Sequence, residues 1–164
     1  MSFSVYAASA PVFVRALNNT AAIIDKALAA GLEETTILEA RLAPDMHPFP
    51  RQIQMASDAA KGAVARLAGV EVPAMPDTET TLAELKARIE RTVAFVESLD
   101  PAAFEGAEDR EVVLRFPNME LKFTGGEFLT AFALPNFFFH VTTAYGLLRA
   151  AGAPIGKLDF LGGR

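Results

Sequence analysis

Asn136 and His140 are the residues of this sequence with the clearest capacity for chemistry. They lie four positions apart in the largely apolar segment 128–149, which we predict to be one long, mostly buried helix. This spacing places both side chains on one face. Such a pair suits two ligands of one metal ion, or a histidine oriented by an amide. The simpler alternative is a buried histidine whose hydrogen bonds are satisfied by a neighbour.

Pro135 directly precedes this pair. A proline has no N–H to donate to the carbonyl of Ala131, so the sequence predicts a free carbonyl and a bend in the helix. The bend either directs Asn136 and His140 inward or is a packing feature without a chemical role.

A polar stripe on a second predicted helix, residues 51–68, supplies candidate partners: Arg51, Gln54, Asp58 and Lys61. Most such stripes are solvated, but one edge can border a crevice between helices. We therefore expect Gln54 or Asp58 to face His140, and an aspartate there would orient the ring and raise its basicity. The candidate ligand-binding set is Gln54, Asp58, Asn136 and His140, with His140 and Asp58 as candidate catalytic residues. His47 is predicted to lie in a surface loop.

Composition excludes several classes of function. The sequence has 164 residues, which predicts a single domain, and it has no cysteine for disulfides, thiolate metal sites or thiol catalysis. A net charge of −5 without a cluster of lysine and arginine argues against nucleic acid and anionic membranes as partners. No signal peptide is apparent, and no segment approaches the ~20 apolar residues that span a bilayer. We expect a cytoplasmic protein.

Four amphipathic helices account for most of the chain. We predict them at residues 5–30, 51–68, 82–99 and 125–151, with the capping boxes Thr81/Glu84 and Thr124/Glu127 starting the last two. Pro11 either starts the first helix or kinks it. Three prolines predict an irregular segment over residues 32–50. Residues 155–161 are predicted to form a tail with enough apolar residues to dock on the bundle.

Two short β-prone segments, residues 111–116 and 119–123, flank Pro117 and Asn118. They predict a small β-hairpin between the third and fourth helices. The predicted fold is therefore an all-α four-helix bundle with one hairpin, formed by residues 1–164. The sequence contains no phosphate-binding glycine loop, nucleophile elbow or His-Glu-x-x-His motif, which argues against an autonomous hydrolase or kinase.

Several motifs together resemble a bacterial and fungal family of unknown function. They are residues 43–49 (APDMHPF), 52–58 (QIQMASD), 123–125 (FTG), 133–145 (ALPNFFFHVTTAY) and 155–162 (IGKLDFLG). That family resembles the DinB-like proteins, which implies a four-helix bundle of the up-down-down-up type.

The resemblance also implies a degenerate metal site. Metalloproteins and thiol transferases of the wider superfamily bind a divalent metal through one histidine on the second helix and His-x-x-x-His on the fourth. In this sequence His140 matches the last histidine, Asn136 matches the first, and the second-helix ligand falls near Gln54 or Asp58. Two lost imidazoles weaken a zinc or nickel site, so no cofactor is expected. The alternative is a weakly bound divalent metal at Gln54, Asn136 and His140.

These observations leave three hypotheses for function. The first is a homodimeric bundle that binds a small molecule near Asn136 and His140. With 51% hydrophobic residues, one bundle is not expected to bury all of its apolar surface, and a dimer interface would cover part of it. The second is a transferase or isomerase in which His140 is a general base or weak metal ligand. The third is a structural module that binds a partner. The sequence does not decide whether the protein is an enzyme.

Overall fold

The structure is a computed structural model that describes residues 4–163. It is mostly helical, with one two-stranded antiparallel hairpin. The elements in chain order are α1 (Val5–Ala29), α2 (Glu34–Glu39), α3 (Phe49–Ala68), α4 (Leu82–Glu97), a 3₁₀ helix (Pro101–Phe104), β1 (Glu111–Phe116), β2 (Met119–Thr124), α5 (Gly125–Glu127), a π-helical segment (Phe128–Ala133), α6 (Leu134–Ala150) and α7 (Lys157–Leu161). Both α1 and α3 pack against α4 and α6.

The predicted helix starts are confirmed where a capping box is present. The Thr81 hydroxyl accepts from the N–H of Glu84, whose carboxylate accepts in return from the Thr81 N–H, and Thr124 and Glu127 repeat this arrangement. In α1 the Ser4 side chain caps the first turn, and the helix continues through Pro11. The helix therefore does not begin at Pro11.

The prediction of an irregular segment over residues 32–50 was wrong at both ends. Residues Glu34–Glu39 form α2, whose six residues are too few to produce a clear helical pattern. Helix α3 begins at Phe49, before the predicted start at Arg51, because Pro50 occupies the first turn, where a missing N–H breaks no helical bond. Glu34 links α2 to the start of α4, since its Oε1 accepts from the Leu82 N–H at 2.6 Å.

The predicted hairpin is confirmed. Its register runs from Glu111 opposite Thr124 to Phe116 opposite Met119, with Pro117 and Asn118 at the turn. Val112 and Leu114 face the core, whereas Phe116 and Met119 are exposed at the tip. The hairpin is held on the helices partly by the Phe123 ring, whose centroid lies 6.1 Å from that of Phe128 and 6.0 Å from that of Phe132.

Pro135 is accommodated by a widened turn in the preceding segment. The Leu134 N–H donates to the Leu129 carbonyl five residues back, and Phe128–Ala133 is π-helical. A π turn shifts the pattern of backbone bonds just before a residue that cannot donate one. The irregularity that Pro135 predicts thus lies in the turn before it, and this turn carries Phe128 and Phe132.

The core is formed by the facing sides of the long helices, where Phe13 and Phe137 meet edge to face with ring centroids 4.8 Å apart. The predicted docking of the tail is confirmed. Helix α7 packs on α1, and the Asn19 amide donates to the Phe160 carbonyl at 3.0 Å. Within residues 4–163, no helix combines the length and apolar character needed to cross a membrane.

Candidate functional site

His140 is 5% exposed, and its Nδ1 lies 2.8 Å from Oε1 of Gln52 on α3. Gln52 is itself 2% exposed, and its Nε2 donates to the backbone carbonyl of His47 at 3.0 Å. A carbonyl only accepts, so the amide nitrogen of Gln52 must point to His47 and its oxygen to His140. The loop before α3 thereby orients the ring of His140 through Gln52.

This chain of hydrogen bonds also determines the tautomer of His140. Because Gln52 Oε1 accepts, the neutral ring carries its proton on Nδ1 and leaves a lone pair on Nε2. Burial lowers the pKa of His140 from its ordinary value of 6.5, and the charges of His47 and Arg51 act in the same direction. At neutral pH His140 is therefore an uncharged imidazole with a basic nitrogen.

His140 lines a cleft of about 290 Å³ between α3, the π-helical segment, α6 and the hairpin. Asp58 and Asn136 line the same cleft, so three of the four predicted site residues meet there. Its apolar walls are formed by Met55, Leu114, Phe116, Phe128 and Phe132. A larger groove of about 840 Å³ near Tyr6 and Phe104 has Glu105 and Glu108 as its charged lining residues and contains no histidine, so the candidate site is the smaller cleft.

Gln54, the fourth predicted site residue, lies elsewhere. Its Nε2 donates to Glu79 at 3.0 Å, and its Oε1 accepts from Arg51 at 3.3 Å. The expectation that Gln54 could face His140 was therefore wrong. Two residues correspond to about 200° of rotation on a helix, so Gln52 and Gln54 point in nearly opposite directions.

Asp58 reaches the cleft but does not orient His140. Its Oδ1 accepts from Arg88 at 2.8 Å and from Lys61 at 3.0 Å, whereas the partner of His140 is Gln52. The polar stripe on α3 is also less solvated than expected, because Gln54 and Lys61 are 6% and 7% exposed. Asp58 provides the countercharge for Lys61, and Glu79 accepts from the Gln54 amide, so neither buried group lacks a partner.

Gln52 and Arg66 were missed by sequence reasoning, and Arg51 was recognised only as a member of the polar stripe on α3. Gln52 had a detectable signal, because it lies at i−4 and i−8 from Ala56 and Ala60 and so interrupts the apolar face of α3. Arg51 and Arg66 both line the cleft. No sequence pattern indicates that Arg51 and Arg66 converge with His140, since Arg66 lies about four helical turns after Arg51 on α3.

The residues of the cleft do not fit the divalent metal of the wider superfamily. His140 is the only imidazole lining it, its Nδ1 is occupied by Gln52, and the cations Arg51 and Arg66 face the same space. Among the described residues, no group of three or more histidine, aspartate and glutamate side chains is arranged to hold a metal ion. Neighbouring positive charge disfavours a dication further.

The family described as "Domain of unknown function (DUF1993)" has a sequence profile that matches residues 5–161. The chain belongs to the DUF1993 family. The predicted family of unknown function is thus confirmed, and so is its DinB-like character. This DUF1993 chain is 39% identical to a protein from Shewanella denitrificans whose crystal structure is described as that of a DinB family member. The match covers 96% of this chain and 91% of that one, with a TM-score of 0.87. A comparison with curated proteins gives no significant match.

A Gln52→Glu variant of the DUF1993 protein is expected to raise the pKa of His140, because a carboxylate beside Nδ1 favours the imidazolium. In the wild type the unfolded chain binds this proton first as the pH falls below about 6.5, so acidification destabilises the fold. The variant should weaken or reverse that dependence. Histidine ring resonances followed by NMR give the pKa, and denaturant unfolding between pH 5 and 8 gives the stability.

Gln54→Glu is the matched control, since it adds the same charge to the same helix beside Glu79 rather than beside His140. A His140 pKa that moves equally in both variants would contradict the assigned hydrogen bond.

Proposed function

We propose that this DUF1993 protein binds a small organic molecule in the cleft, with Asn136 and the Nε2 of His140 as its polar partners. The observation that carries the proposal is the buried, neutral His140, which is oriented by Gln52 and lines a cleft with apolar walls. Asn136 is half-buried there and offers both a donor and an acceptor. Clefts with apolar walls and a few convergent polar groups are typical small-molecule sites.

The neutral probe benzamide tests this proposal. It has an aromatic ring for the apolar walls and an amide for Asn136 and His140, and its small size predicts a dissociation constant on the order of millimolar. We expect NMR titration to shift the side-chain resonances of Asn136, His140 and Phe132. Asn136→Leu keeps the branched shape of the side chain but removes its polar atoms, and it should weaken binding several-fold.

Thr142→Val, on the exposed side of α6, is the control and should bind benzamide as the wild type does. Shifts confined to other parts of the surface, or no saturable binding at all, would refute the proposed site.

Catalysis by His140 is a second candidate function, supported by the lone pair that Gln52 leaves on Nε2. If the protein is a transferase or isomerase, His140 acts as its general base. Gln52 then orients the His140 ring, the role that the sequence suggested for Asp58. Metal-assisted catalysis is not proposed. The role of a purely structural module that binds a partner stays a prediction.

Three finer features also stay predictions: the up-down-down-up order of helix directions, a cytoplasmic location and a homodimer. The homodimer is supported by Phe139, which is 55% exposed on α6. A strict monomer in sedimentation at micromolar concentration would contradict it.

A further inference from the structure

Arg66 lines the cleft from the C-terminal half of α3 and is half-buried. Its Nη1 donates to the Gly62 carbonyl of its own helix at 2.8 Å. Within residues 4–163 it forms no salt bridge. Burial lowers the pKa of Arg66, yet a guanidinium remains charged in proteins. A partly desolvated cation without a carboxylate is costly unless an anion reaches it.

The charges around the cleft favour an anion. Asp58 is the only carboxylate among the lining residues, and Arg88 and Lys61 already neutralise it. Arg51 adds a second guanidinium, although it also pairs with Asp77. His140 contributes no negative charge. The field inside the cleft is therefore positive, and low-dielectric walls strengthen it.

Gly62 provides the space in which Arg66 lies against its helix. A Cβ at position 62 would lie 2.6 Å from Arg66 Nη1, so any side chain there displaces the guanidinium. Glycine inside a helix is less favourable than alanine because it loses more backbone entropy on folding. A glycine in the middle of α3 thus destabilises the helix while it keeps Arg66 at the wall of the cleft.

We propose that the ligand of this cleft is a small molecule with a carboxylate or phosphate group on an apolar body, and that Arg66 binds the anionic group. The inference rests on the proposed ligand-binding function and specifies its chemical class. Arg66 offers the unused donors of a planar guanidinium, which match a carboxylate or phosphate in geometry. Phe128, Phe132 and Leu114 contact the apolar body, and Asn136 and His140 face its remaining polar groups.

The test compares benzamide, benzoate and phenyl phosphate by NMR titration. Benzamide and benzoate share size and shape and differ in charge, so their affinity ratio isolates the anionic contribution. In the wild type we expect benzoate, phenyl phosphate or both to bind about tenfold or more tightly than benzamide. That preference should shrink when salt is raised from 50 to 500 mM.

Two variants assign the preference to Arg66. Arg66→Gln should abolish it while benzamide binding remains. Gly62→Ala should reduce it without loss of thermal stability, because alanine favours the helix but displaces the guanidinium. Arg15→Gln removes one positive charge from the exposed side of α1 and should leave the preference intact.

The outcomes separate the two proposals. Benzamide binding with no preference for benzoate or phenyl phosphate, or a preference that survives Arg66→Gln, overturns the anion inference and leaves the ligand site in place. Failure of all three probes to bind overturns both. A preference for phenyl phosphate alone, lost in Arg66→Gln, assigns the site to phosphate monoesters.

Discussion

Replacement of Arg88 by methionine is expected to destabilise the fold by about 3 to 5 kcal/mol and to release the loop that precedes α4, residues 75–79. Arg88 is completely buried. Its guanidinium binds Glu79 at 3.1 Å, Asp58 at 2.8 Å and Asp77 at 3.0 Å. Methionine fills a similar volume, so the expected loss comes from the charges that remain without their partner.

Glu79 accounts for most of that cost. Its side chain is 4% exposed. Burial by itself raises the pKa of Glu79, but hydrogen bonds from its own backbone, Gln54 and Arg88 outweigh this effect and leave the pKa below its usual value. Without Arg88 the carboxylate is buried with less compensation. Arg88 also donates to the carbonyls of Pro76 and Met75, which would lose these partners in the same variant.

Denaturant unfolding measures the loss, and hydrogen exchange over residues 75–79 reports release of the loop. Arg91→Met is the matched control, because Arg91 contacts the same Glu79 carboxylate at 3.4 Å with a side chain that is 55% exposed. It should cost at most about 1 kcal/mol. Adding Glu79→Gln to Arg88→Met should recover part of the stability, since a neutral amide is cheaper to bury than a carboxylate.

Equal losses in Arg88→Met and Arg91→Met would refute the central role of Arg88. The pH dependence is a second readout. A lowered pKa of Glu79 contributes stability above the unfolded value of about 4.5, and this contribution is lost as the pH falls towards the folded value. Arg88→Met should reduce that acid-dependent loss.

Local sequence signals predicted the helices well where a specific residue starts or stops them. The capping boxes at Thr81 and Thr124 are side-chain interactions within one turn, so the sequence alone contains the information. Helix α2 could not be recognised in this way. It depends on burial of Ile37 and on the contact from Glu34 to Leu82, which is 48 residues away.

The candidate site was predictable only along single helices. Asn136 and His140 share a face because four residues separate them, and the structure places both on the cleft. The choice between Gln52 and Gln54 depends on how α3 is rotated against α6, which is a property of the packed fold. Likewise, the burial of Gln54 depends on its hydrogen bond to Glu79, which precedes α4, and a helical pattern in α3 contains no such information.

Gly125 is the position where a single added methyl group should be most disruptive. A Cβ at residue 125 would lie 1.8 Å from the backbone carbonyl oxygen of Ala107 and 3.2 Å from Leu67 Cδ2. Both neighbours are fully buried, so neither can move aside freely. Gly125 does not have a positive φ, and close approach of two backbone segments is therefore the reason that glycine is required.

Gly125→Ala is expected to destabilise the fold by about 3 kcal/mol or more, at the upper end of the cost of overpacking. It should also weaken benzamide binding in the protein that remains folded, because α5 leads directly into the π-helical segment that carries Phe128 and Phe132 to the cleft.

Gly126→Ala is the control. A Cβ at residue 126 has its nearest contact at 3.5 Å, which is ordinary van der Waals distance. This variant should be neutral or more stable by up to about 1 kcal/mol, since alanine restricts the unfolded chain. Denaturant unfolding of the two single variants decides the matter: if they have equal stability, the contact between Gly125 and Ala107 does not constrain the start of the last helix.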